Sequence, residues 1–233
     1  MTRVKICGLR TADDLLAAAH AGADLCGLVF VPGRRRRVPV EAAVEAVRAF
    51  RAAWPRTRPA VVGLFADQPL EEVQETVRRV GLDAVQLCGG EPLAYCKAVG
   101  APVLKVLPVD DALPRQELTL ALGAHLAALE REGFGAVLDR YERGLQGGTG
   151  RSFDWGVAAE LARGHRFLLA GGLTPENVAQ AVARVRPWGV DVSSGVETHG
   201  VKDHARVRAF IAAVREADIT LSEAKGLPSP WAC

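Results

Sequence analysis

The feature that most constrains this chain is an alternation repeated eight times: a short β-branched or apolar run, a polar turn, and a segment with apolar residues at helical spacing. The strand candidates are Arg3 to Cys7, Asp24 to Phe30, Pro59 to Phe65, Asp83 to Leu87, Pro102 to Leu107, Phe134 to Asp139, Arg166 to Ala170 and Trp188 to Val192. Strands that each feed a helix pair in parallel. Eight of them favour a closed ring over an open doubly wound sheet, which more often stops at five or six. The expected fold is α/β, a single (β/α)8 barrel over residues 1–216.

Helices are expected near Thr11 to Ala21, Val40 to Ala53, Leu70 to Val80, Glu91 to Val99, Leu113 to Glu130, Asp154 to Arg163, Pro175 to Val185 and Lys202 to Arg215. Thr11 reads as an N-cap before the acidic turn Asp13-Asp14, and Thr174 precedes Pro175 at an expected first helical position. Gly22, Gly81 and Gly100 stand where helices should end. Residues 217–233, with two prolines close together and Trp231, read as a loosely ordered tail.

Composition narrows the function. Of 233 residues, 49% are hydrophobic, enough for a substantial core, and the formal charge of +2 is too small for the broad basic field of a nucleic-acid binder. Five cysteines without a C-x-x-C pair fit a reducing compartment. No run approaches the roughly 18 apolar residues of a membrane span, and the first residues form no apolar signal segment. The expectation is a cytoplasmic protein that binds neither nucleic acid nor membrane. Apolar positions do not separate a monomer from a homodimer.

Barrel active sites lie at the C-terminal ends of the strands. Cys7, followed by Gly8, closes the first strand candidate, and Asp139 closes the sixth. A thiolate at Cys7 could accept a proton from carbon adjacent to an imine, although a free cysteine is commonly a small core residue. Asp139, protonated in a partly dry pocket, could donate to a ring or leaving oxygen; exposed, it would cap a turn or pair with Arg140. Three glycine-rich turns follow strands six, seven and eight: Gly147-Gly148-Thr149-Gly150, Gly171-Gly172-Leu173 and Ser193-Ser194-Gly195. Their backbone N–H groups could converge on a phosphate. The run Arg34 to Arg37 follows strand two, away from those turns. It reads as a solvated loop, a nucleic-acid patch or an anion site, and its position in the barrel favours a site for a second anion, preferably a planar carboxylate.

Several segments, in this order, resemble the phosphoribosylanthranilate isomerase family of tryptophan biosynthesis from Val4 to about Ile211. They are Val4-Lys5-Ile6-Cys7-Gly8-Leu9, Gly22-Ala23-Asp24, Asp83-Ala84-Val85-Gln86-Leu87, Gly147 to Trp155, Ala170 to Val178, and Asp191 to Glu197. The resemblance implies a TIM barrel enzyme that needs no cofactor or metal and acts on a small phosphorylated substrate. Its reaction is the Amadori rearrangement of N-(5′-phosphoribosyl)anthranilate. By similarity, Asp139 is the general acid and Cys7 the general base. Arg36 binds the anthranilate carboxylate, Asp191 lies near the sugar, and Gly148, Gly171, Gly172, Ser194 and Gly195 hold the phosphate. The chain departs from the family pattern where Arg34 replaces a serine and Arg37 an aromatic residue, which leaves Arg35 and Arg37 as alternatives to Arg36. Cys88 stands in a histidine position.

Two rivals remain at this level. The related isomerase of histidine biosynthesis normally carries an aspartate where Cys7 stands and takes a substrate with two phosphates. A barrel that binds phosphate without catalysis would not need both Cys7 and Asp139. The five histidines lie off the expected active rim, and no cluster of His, Cys and carboxylate has metal-ligand spacing.

Overall fold

Eight strands buried on both faces must alternate between two apolar environments, and the chain meets this demand by alternating residues between a barrel interior and a ring of helices. The computed structural model describes residues 1–55, 59–110, 112–140 and 154–223. In chain order these form β1 (Arg3–Cys7), α1 (Ala12–Ala21), β2 (Leu25–Val29), α2 (Val40–Ala53), β3 (Ala60–Phe65), α3 (Leu70–Val80), β4 (Ala84–Leu87) and α4 (Leu93–Ala98). There follow β5 (Val103–Val109), α5 (Arg115–Arg131), β6 (Gly135–Arg140), α6 (Trp155–Leu161), β7 (Leu168–Leu169), α7 (Val178–Val185), β8 (Gly189–Val192), a short hairpin β9 (Glu197–Thr198) and β10 (Val201–Lys202), and α8 (His204–Glu223). Strands β1 to β8 close in sequential order into a parallel barrel, β1 pairing with β8. The expected (β/α)8 architecture is the observed one.

Residue alternation is visible strand by strand. Val4, Ile6, Leu28, Val61 and Leu138 pack in the main core with the helices. Their neighbours Cys7, Val29 and Val62 form one inner cluster, and Val137 with Leu168 forms another. Among the described residues, the polar side chains buried in the barrel strands are Lys5, Gln86, Lys105 and Asp191.

Helix boundaries follow their caps. Thr11 accepts a hydrogen bond from the Asp14 N–H, and Gly22 ends α1 at φ 93°, a left-handed conformation suited to glycine. Three expectations need correction. α4 starts at Leu93 rather than Glu91, because the Glu91 carboxylate turns inward to accept from the N–H groups of Asp67 and Gly89 and from Lys105 Nζ. α7 starts at Val178, not Pro175, because Asn177 folds residues 174–177 into a turn: its Oδ1 accepts from the Thr174 N–H and its Nδ2 donates to the Gly172 carbonyl. α8 runs to Glu223, eight residues beyond the expected end, so positions 217–223 of the supposed tail are helical. Asp218 anchors this extension by accepting from the Thr2 N–H at 2.8 Å and the Thr2 hydroxyl at 2.7 Å, while Ala217 is buried. The rest of the expected tail, 224–233, lies outside the described residues.

Phe50 on α2 is fully buried in the helix-facing core. Phe50→Ala should destabilise the fold by about 3–5 kcal/mol in urea unfolding, as truncation of a buried aromatic ring generally does. A loss below about 1 kcal/mol would contradict the packing described, because only exposed sites are that tolerant.

Candidate active site

Lys5 and Cys7 are two residues apart on β1 and so share its inner face. The β1–β8 register sets Lys5 opposite Asp191, and Lys5 Nζ donates to both carboxylate oxygens of Asp191 at 3.0 Å. Lys5 is completely buried. Burial works to strip its proton, but the charge of Asp191 and, less strongly, of Cys7 prevail and raise its pKa. A protonated ammonium is thereby fixed inside the barrel mouth.

That ammonium biases its neighbours. Burial pushes the Cys7 thiol above its ordinary value, Lys5 opposes the rise, and Asp191 adds to it. Asp139, on β6, is brought into the same field, with β7 and β8 standing between β6 and β1 in the ring. Its Oδ1 accepts from the Arg140 N–H at 2.8 Å. Burial first, then the charge of Asp191, push the Asp139 carboxyl up to about 6, against the Arg140 N–H and Lys5. One buried ion pair thus influences both candidate proton-transfer groups.

The two described glycine turns meet at the same rim. Gly171 and Gly172 have φ of 87° and 68°, a left-handed path that glycine tolerates. A Cβ on Gly195 would sit 1.9 Å from the Leu173 carbonyl oxygen, so only glycine lets the loops after β7 and β8 pack this closely. The N–H groups of Gly171, Gly172, Ser194 and Gly195 donate to no acceptor among the described residues. Such an array suits a phosphate. Gly148 and the rest of its loop lie outside the described residues.

Of Arg35, Arg36 and Arg37, Arg36 is the one that is not exposed. A Cβ on Gly8 would meet its Cδ at 2.5 Å, so the Arg36 stem crosses directly beside Cys7. Its guanidinium donates from Nε and Nη2 to the two oxygens of Glu197, at 2.6 and 3.0 Å. Arg35 is more exposed and bonds to the Gly200 carbonyl and to Glu197. The exposed Arg37 joins a bridge to Val29 through its backbone. The expectation that this loop lies apart from the loop after β8 is therefore corrected: Glu197 belongs to that connection and ties the two together.

Cys88 and Gln86 complete the mouth at β4. Burial pushes the Cys88 thiol up to about 12, so it is a neutral group, and Gln86 Nε2 approaches its sulfur at 3.5 Å. The Gln86 carbonyl oxygen is buried without a partner among the described residues. Sequence reasoning gave no role to Lys5, Gln86, Glu197 or Lys202. A lysine inside the apolar run Val4 to Cys7 was a usable signal, since a charge there needs a buried partner. Glu197 and Lys202 sit among polar loop residues and carried no such mark. No group of His, Cys, Asp and Glu among the described residues could hold a metal, and no helix among them is long and apolar enough to cross a membrane.

A family model described as N-(5′-phosphoribosyl)anthranilate (PRA) isomerase matches residues 4–213. The isomerase of that name from Roseiflexus castenholzii is 47% identical over 217 residues, covering 92% of this chain and 98% of the relative. Monomers generated from the dimeric phosphoribosylanthranilate isomerase of Thermotoga maritima superpose with a TM-score of 0.75 at 33% identity, over 93% of this chain and all of theirs. A phosphoribosylanthranilate isomerase in complex with reduced 1-(o-carboxyphenylamino)-1-deoxyribulose 5-phosphate gives a TM-score of 0.74 at 32% identity, again over 93% of this chain and all of that one.

The raised Asp139 pKa has a consequence for stability. Its folded-state value of about 6 lies above the roughly 3.9 of an unfolded aspartate, so its contribution is complete below about pH 4 and is lost as pH rises through about 6. Asp139→Asn keeps an acceptor for Arg140 and carries no charge. Its urea midpoint should therefore gain on wild type as pH rises from about 4 to about 7. A difference that stays flat across this range would mean that the carboxylate is not desolvated.

Proposed function

Because the chain belongs to the N-(5′-phosphoribosyl)anthranilate isomerase family, we propose that Asp139 is its general acid and Cys7 its general base. The enzyme catalyses the Amadori rearrangement of N-(5′-phosphoribosyl)anthranilate to 1-(2-carboxyphenylamino)-1-deoxyribulose 5-phosphate in tryptophan biosynthesis. The observation that carries the assignment is the position of Asp139: half-buried at the mouth end of β6 in the field of Asp191, with a carboxyl that holds its proton up to about pH 6.

In the proposed sequence Asp139 gives its proton to the ribose ring oxygen. The C1–O bond breaks as the nitrogen lone pair forms a C=N bond, which opens the ring to a protonated Schiff base. The Cys7 thiolate then removes the proton from C2, and the electron pair left behind neutralises the imine to an enolamine. Return of a proton to C1 and loss of the enol proton give the 2-keto product. Protons and bonding pairs alone move, so the net change is an isomerisation. The Lys5 ammonium stabilises the thiolate form of Cys7, and each proton-transfer group can contribute about 10²- to 10⁴-fold in rate.

Binding follows from the same rim. The open N–H groups of Gly171, Gly172, Ser194 and Gly195 suit the phosphate, together with Gly148 of the loop after β6. Asp191 faces the sugar while holding Lys5, and Arg36 takes the anthranilate carboxylate. The assembly proposed is a monomer or a homodimer; the Thermotoga maritima relative occurs as a dimer and as monomers generated from it. The working location proposed is the cytoplasm, in keeping with buried thiols Cys7, Cys26 and Cys96 that form no disulfide.

The ionisation order sets the pH profile. Asp139 is the stronger acid, because burial lifts Cys7 above its ordinary range and Asp139 only to about 6. The active form, with Asp139 protonated and Cys7 ionised, is the minor tautomer of the singly deprotonated pair. Its population rises as pH passes through about 6 and falls once the thiol also ionises. The kcat/KM profile, followed by loss of substrate fluorescence, should rise with pH through about 6, and Asp139→Asn should abolish that limb along with about 10²-fold or more of the rate. An unchanged limb in Asp139→Asn would assign it to the substrate phosphate, which also titrates near 6. Full activity in Asp139→Asn or in Cys7→Ser would overturn the pair.

A further inference from the structure

The catalytic scheme leaves the carboxylate of Glu197 without a task. The Glu197 side chain is 5% exposed and stands among three cations. Arg36 donates to both its oxygens, Lys202 Nζ donates to Oε1 at 2.8 Å, and Arg35 Nη2 donates to Oε2 at 2.7 Å. Lys202, equally buried, also donates to the Ser193 carbonyl at 2.7 Å, and Ser193 Oγ donates to the Cys7 carbonyl at 3.1 Å. Burial works to raise the Glu197 pKa, but these hydrogen bonds and charges take it down to about 2, so it is ionised throughout the working range. Three cations around one carboxylate leave the cluster with an excess of positive charge.

The way Glu197 holds Arg36 matters. A guanidinium offers five N–H donors around a flat fork. Glu197 occupies the Nε–Nη2 edge. The other edge, formed by Nη1 and the second hydrogen of Nη2, has no partner among the described residues. The stem lies against Gly8, beside Cys7, and is only partly exposed. We infer that Glu197 is a positioning residue that locks the Arg36 guanidinium so that its free edge faces the mouth as a planar clamp for the substrate's aryl carboxylate. The inference rests on the reading of Arg36 as that clamp.

In this arrangement the long side chain loses its rotamer freedom when the protein folds rather than when substrate binds, which improves affinity without a new substrate contact. Excess positive charge in the cluster favours a second carboxylate. A substrate whose ring lacked that group would leave the free edge and the excess charge unanswered.

A double-mutant cycle on the full chain tests this, with phosphoribosylanthranilate turnover followed by fluorescence. Glu197→Gln preserves volume and one acceptor. It should raise KM about tenfold and leave kcat within about twofold, the pattern of lost uniform binding. Arg36→Ala should raise KM further, and Glu197→Gln added to Arg36→Ala should cost little more, because the two act through one contact. Should the Gln variant fail to fold, Glu197→Asp, which keeps the charge on a shorter arm, takes its place in the cycle with the same expectation. A wild-type KM in the Glu197 variant, or an effect that adds in full to that of Arg36→Ala, overturns the inference and leaves the clamp intact. A wild-type KM in Arg36→Ala overturns the clamp itself.

Discussion

Closure of the barrel depends on β1 pairing with β8, and the register of that pairing places a lysine across from an aspartate in the interior. Shifted by one residue, Lys5 would face the apolar helix layer, where Val4 and Ile6 now pack. A buried ammonium without a counter-ion is far costlier than the pair, so Lys5–Asp191 acts as a register lock as well as a charge source. The two members of that pair then act in opposite senses on each catalytic candidate. Lys5 favours the ionised forms of Cys7 and Asp139, whereas Asp191 favours their protonated forms. Cys7 belongs to the strand that carries Lys5, while Asp139 is raised by the charge of Asp191. Strand closure and proton chemistry therefore share one element.

A second network holds the rim. The loop after β2, the end of β1 and the connection after β8 meet where Arg36 crosses Gly8 to reach Glu197, while Lys202 and Ser193 tie that connection to the Cys7 backbone. The short hairpin β9–β10 carries both Glu197 and Lys202, whose ion pair spans it, with Lys202 opposite Glu197 in the strand register. A two-stranded ribbon of this size would not stand alone. It holds its place because its charged residues are buried among partners from elsewhere on the rim, so the proposed carboxylate recognition and the loop architecture rest on the same contacts.

The sequence made the barrel legible because parallel strands covered on both faces leave apolar runs too regular to mistake for anything else. Cys7 and Asp139 were legible for a related reason: polar or reactive side chains at strand ends stand out against those runs. Helix starts were harder. Thr174-Pro175 is a good helix opening by local chemistry, yet Asn177 bonds back to Gly172 and Thr174 and makes a turn first. Glu91 likewise belongs to a helix by propensity and to Lys105 by burial. Glu197 was invisible because its partner Arg36 lies 161 residues away, and no local pattern predicts which loops a closed barrel brings side by side. The four arginines showed that an anion was expected there, but not that the protein supplies one of its own.

Cys88 shows how the charge balance of the mouth is kept. A histidine at this position, as the family pattern has it, could take up a proton near neutral pH and add a positive charge close to Lys5. The thiol that replaces it is held neutral chiefly by burial, with the charge of Cys7 a lesser cause, and its pKa is pushed up to about 12. Cys88 therefore neither competes with Cys7 as a base nor adds to the field on Asp139. Deprotonation of Cys7 is left to the balance between burial and the Lys5 ammonium. The buried carbonyl of Gln86, next to Cys88, keeps an acceptor open at the mouth that a protonated imidazole would be well placed to occupy. Exchanging an ionisable ring for a thiol leaves burial, and after it the Lys5–Asp191 pair, to set both ends of the proposed proton transfer.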